Sequence, residues 1–93
     1  MSGATTNDPS ALDPTALALR ALAATLGEQR LAERFLSLSG IDPPDLRHRA
    51  SDADMLAALL RFLEAHEPDL LTIAEQLAVK PEALVAARHE LEQ

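Results

Sequence analysis

Residues 51–70 read SDADMLAALLRFLEAHEPDL, and the spacing of the leucines in this stretch decides the fold. Leu56, Leu59, Leu60 and Leu63 recur at i, i+3, i+4 and i+7, one side of an α-helix, with Met55 and Phe62 beside them. Ser51 and Asp54 have the spacing of a capping box, with Asp in place of the usual Glu, so the helix is expected to open there. It runs to about His66, because Pro68 disfavours helical backbone at Glu67 and turns the chain. Pro68 then suits the first turn of a following helix, with Leu70, Ile73, Ala74 and Leu77 inward.

The same grammar extends toward the N-terminus. Asp13 and Pro14 are a cap and a first helical residue, and Gly27 is a typical left-handed terminator, which predicts a helix to about Leu26. This segment is apolar nearly all round, so it needs cover on more than one side, from its own chain or from a partner. Leu31, Phe35 and Leu38 share one face of a second helix over residues 28–38, closed by Ser39-Gly40. Asp42-Pro43-Pro44 opens a short third helix to Arg49 that carries Leu46 inward. Met1 to Ala11 is rich in Ser, Thr, Asn, Gly and Pro, and reads as a disordered tail before a single domain over residues 12–93.

Toward the C-terminus, residues 70–89 have the pattern of a helix-turn-helix hairpin. Ala74 is the small residue at the helix crossing, and Ile73, Leu77, Val79, Leu84 and Ala87 supply the apolar side. Ala78 stands where such turns usually carry Gly for a left-handed backbone, and Lys80 where a Ser or Thr cap is usual. If the hairpin read DNA, Lys80, Arg88 and His89 would be its contacts. The charge opposes that. Residues 12–50 carry five acids and five bases, whereas residues 51–93 carry nine acids and three bases, a net of −6 on the half that would meet phosphate.

Composition agrees with helix throughout. Apolar residues make up 47% of the 93, mostly Leu and Ala, with Phe35 and Phe62 as the aromatics, and β-branched residues are scarce. A net charge of −7 repels phosphate and anionic lipid. The chain has no cysteine, which excludes disulfides, thiolate metal sites and a cysteine nucleophile, and fits a reducing cytoplasm. Residues 16–26 lack the basic flank of a signal peptide and are too short to span a bilayer. A chain of this size has a net stability of about 3–5 kcal/mol, which a partner would supplement.

No chemistry-bearing constellation stands out. His48, His66 and His89 fall on three different helices, with no i, i+4 pair, so no metal site is expected. Glu64, Glu67 and Asp69 gather at the Pro68 corner, where solvated first-turn carboxylates are the simpler account than acid–base catalysis. There is no Gly-x-Ser-x-Gly and no phosphate loop. Arg30 and Arg34 are expected to pair with Glu33 and Asp45, although with Arg47 and Arg49 they could form a basic patch for an anionic partner.

Leu19-Arg20-Ala21-Leu22, Leu38-Ser39-Gly40-Ile41-Asp42-Pro43, the run Phe62 to Leu70 and the run Pro81 to Arg88 together resemble a family of short bacterial helical proteins of unknown function. The resemblance covers nearly everything after the tail, and Phe62 to Leu70 is its most distinctive part. It implies a stand-alone helical protein and carries over no catalytic or binding residue. The expectation is therefore an all-α orthogonal bundle of five or six helices with a helix-turn-helix-like C-terminal hairpin. It is expected to act without catalysis or cofactor, by binding a protein partner or a second copy of itself. A DNA-binding regulator is the alternative.

Overall fold

A computed structural model describes residues 13–93. The expected tail over residues 1–11 lies outside the described residues. The described chain is all helix and turn, with six helices in one bundle: α1 Pro14–Leu26, α2 Gln29–Ser39, α3 Pro43–His48, α4 Ala53–Glu64, α5 Glu67–Leu77 and α6 Pro81–Leu91. None is long and apolar enough to cross a membrane.

Local chemistry explains the boundaries. The Asp13 carboxylate accepts from the Thr15 amide and Pro14 fills the first helical position, so α1 starts as its sequence dictates. Gly27 ends α1 with right-handed backbone at φ −77°, not left-handed as expected, whereas Gly40 closes α2 in the left-handed region at φ 70°, where a Cβ would be strained. At α4 the cap is Asp52, whose carboxylate accepts from the Asp54 amide, and not Ser51. The box is displaced by one residue because an ionised carboxylate two residues before the amide makes the stronger charge-assisted bond. Glu67 is already helical, contrary to the turn expected before proline. Pro68 sits at the second helical position, where its missing N–H has no partner in any case, and this outweighs the steric bias on its neighbour.

Helix α1 is the centre of the bundle and packs against α2, α4, α5 and α6. That is why it is apolar nearly all round. Leu17, Ala18, Ala21 and Leu22 are buried, and the buried Thr25 hydroxyl donates back to the Ala21 carbonyl at 2.8 Å, so no polar atom is orphaned there. The cover that the sequence demanded comes largely from the chain itself. Small residues at 18 and 21 allow this close approach of neighbours. Helix α4 contributes most of the remaining core through Met55, Leu56, Leu59, Leu60 and Leu63, and packs on α6 and α5. Ile73 and Ala74 of α5 and Leu84 and Ala87 of α6 complete it, while Leu77 and Leu91 are half-buried at its edge.

Helices α2 and α3 are held differently. Leu31 and Phe35 of α2 are buried, and Phe35 meets Phe62 edge-to-face at 5.4 Å between ring centroids. The Arg34 guanidinium lies 5.2 Å over the other side of this contact, on Phe62, and donates to the Asp69 carboxylate at 2.8 Å. It therefore bridges α2, α4 and α5, and does not pair with Glu33 or Asp45 as the local sequence suggests. Glu33 instead accepts from Gln29. Leu38 departs from its expected place on the inner face: it is 74% exposed, because α2 outruns the surface it packs on before Gly40 turns the chain. Leu46 is the buried residue of α3, with Ile41 and Ala50 on either side of the helix packed against the core.

Candidate functional site

The α5–α6 hairpin turns through Ala78, which adopts the left-handed conformation at φ 59° and lets the Val79 amide donate to the Ala74 carbonyl. The sequence marked this position, and the chain holds Ala there at a conformational cost. Lys80 is exposed at the α6 N-cap and makes no side-chain cap bond. His89 is exposed in the last turn. Arg88 is half-buried: its guanidinium donates to Glu64 of α4 and to Glu92, and Glu92 also accepts from Arg61 of α4. The bond to Glu64 raises the Arg88 pKa above its ordinary value; burial opposes the rise, and the charges of Glu64 and Glu92 add to it. The structure thus does not gather Lys80, Arg88 and His89 into one cationic surface. Arg88 is turned onto α4, and Lys80 lies eight residues earlier, about 12 Å along the helix.

The Pro68 corner is also divided. Glu64 bonds Arg88, Asp69 bonds Arg34 and lies 3.8 Å from His66 Nδ1, and Glu67 is exposed. Glu64 and Asp69 thus tie helices together, each through a different arginine. Among the described residues, no three His, Cys, Asp or Glu side chains come together in a way that could hold a metal ion. Arg34 pairs with Asp69 and Arg49 with Asp52, so two of the four arginines weighed as a basic patch, Arg30, Arg34, Arg47 and Arg49, are engaged by carboxylates.

Two apolar grooves among the described residues lie along α2. One groove of about 270 Å³ is lined by Phe35, Leu38, Ser39, Ala58, Arg61, Phe62 and Ala65, between α2 and α4. Leu38 stands beside it as a projecting side chain. A second groove of about 370 Å³ lies between α1, α2 and α3, lined by Leu22, Leu26, Ala32, Leu36, Pro43, Leu46, Arg47 and Ala50. Leu36 and Leu38 point about 200° apart on the helix, so α2 presents apolar surface to both grooves. A third hollow of about 380 Å³, at the start of α2, is mixed, with Glu28, Arg30, Arg34 and Asp69 beside Leu31 in its lining.

Sequence periodicity missed both grooves, since it assigned Leu38 to the core and gave Leu36 no role. The signal was present in Leu36, an apolar residue off the Leu31–Phe35–Leu38 stripe, close to a helix end. No curated protein and no solved structure matches the chain. One family model does, over residues 11–93, which includes all six helices, and its description is a protein of unknown function. The chain belongs to that family, DUF3572.

Proposed function

We propose that this protein is a non-enzymatic interaction module that self-associates through the C-terminal turn of α2. The observation that carries the reading is Leu38, a large apolar side chain left 74% exposed at the lip of an apolar groove that it helps to line. A projecting leucine next to a hole on the same surface is self-complementary. Under a two-fold axis each Leu38 enters the other copy's groove, as a knob enters a hole. The groove lining holds a single charged residue, Arg61, and no carboxylate, so the lining itself adds no acid–acid repulsion between two copies. Burying one leucine contributes about 1.5–3 kcal/mol per copy, which suits a weak, reversible dimer. The first helix, whose apolar surplus first suggested an interface, is not the surface proposed, since its own neighbours cover most of it.

Light scattering over a concentration series tests the proposal. A mass that rises from one chain to two with concentration supports it. A single-chain mass up to about 1 mM, where only affinities weaker than roughly −4 kcal/mol escape detection, refutes it. We also place the module in a bacterial cytoplasm, a reading supported by the cysteine-free composition and by the family resemblance.

The hairpin gives a second reading, a DNA-binding regulator, favoured by the left-handed turn at Ala78. Its proposed contacts are Lys80, Arg88 and His89, and the ion pairs of Arg88 and the net −6 of residues 51–93 weigh against it. Salt-sensitive binding to duplex DNA that weakens in Lys80→Ala would move it to first place; no binding at low salt would end it.

A further inference from the structure

We infer that the groove between α1, α2 and α3 is a binding site for a single-chain fatty carboxylate. Leu22 and Leu46 form its floor and join it to the core, Leu26 and Leu36 are among its walls, and the cavity of about 370 Å³ falls within the range of small-ligand sites. Folded interiors are close-packed, so apolar side chains left around an open volume of this size gain by contact with an apolar guest. Arg47 is the one charged residue in the lining, and it makes no ion pair with the described residues. An apolar cleft with one unpaired guanidinium is complementary to an apolar chain ending in an anion. All the lining residues fall within residues 12–50, whose charges balance.

Helices α1, α2 and α3 line the groove with apolar side chains and one charge, which suits an occupant with one apolar chain and one anionic end. The site shares no lining residue with the Leu38 groove, so it stands or falls apart from self-association.

Displacement of a dansyl-labelled undecanoate probe tests the site. The full chain is expected to enhance the probe's fluorescence. Dodecanoate should displace it about tenfold more effectively than dodecyltrimethylammonium, which has the same tail with the opposite charge. Arg47→Glu, at an exposed position that leaves the melting curve in place, should reverse that order. Methyl NMR shifts on adding dodecanoate should centre on Leu22, Leu26, Leu36 and Leu46. No probe enhancement, equal displacement by the two charges in the wild type, an unchanged order in Arg47→Glu, or shifts centred on Leu38 and Phe62 would each overturn the inference. Anionic vesicles form a separate arm: binding to vesicles without displacement by free dodecanoate would point to a membrane surface, and would also overturn it.

Discussion

Helices α2 and α4 have nearly the same length and carry the same kind of apolar stripe, yet they end differently. In α4 the stripe stays buried to its last turn, and Leu63 has no exposure. In α2 the stripe begins buried at Leu31 and Phe35 and emerges at Leu38, 74% exposed. The difference lies in what stands opposite. Helix α4 is flanked by α1, α5 and α6 along its length, while α2 has α1 as its main neighbour and runs past the bundle's edge. Periodicity determines the direction in which a side chain points. Depth depends on tertiary neighbours that no local pattern reports.

The widest separation between the two helices should appear in paired truncations. Leu63→Ala removes a side chain with no exposed surface and should cost about 2–5 kcal/mol, most of the stability a domain of this size has. Urea unfolding monitored by circular dichroism reads it directly, and a loss below about 1 kcal/mol would break the contrast. Capping offers a sharper, smaller test. Asp52→Ala deletes the side-chain cap of α4 and should cost about 1 kcal/mol. Helix α2 has Glu28 at the corresponding position with no side-chain cap bond, so Glu28→Ala should cost less in the same assay. At the hairpin, Ala78→Gly relieves a left-handed alanine and should raise stability by about 0.5–1 kcal/mol; a loss there would mean that the Ala78 methyl is needed for packing. The smallest effect belongs to Leu38→Ala, expected within about 0.5 kcal/mol of wild type at a dilution where the chain is monomeric.

Much of the fold is legible in the sequence, and the residues show why. Asp13-Pro14, Gly40, Asp42-Pro43 and Pro81 mark helix boundaries through rules that act over a few residues. The α4 stripe is read correctly because nearly every apolar residue on it is used. Errors enter where two local rules compete, as at Ser51 against Asp52 and at Glu67 before Pro68. They enter again where long-range partners decide, as when Asp69 captures Arg34 from 35 positions away. The candidate surfaces were the least legible part. A groove is a gap between helices, and single-helix patterns contain no information about gaps. Arg88 illustrates the converse: its sequence position suited a groove-reading role, and its partner Glu64 lies 24 residues upstream on α4.

Sedimentation equilibrium of the wild type beside Leu38→Glu, with a melting curve for each, tests the central claim most directly. The claim is that the emerging end of the α2 stripe is a docking surface and that the α4 stripe is a core. It predicts a wild type in monomer–dimer exchange and a Leu38→Glu variant that is monomeric at the same concentrations with the melting curve of the dissociated wild type. An equally dimeric Leu38→Glu, or a wild type that never leaves the monomer, would contradict it.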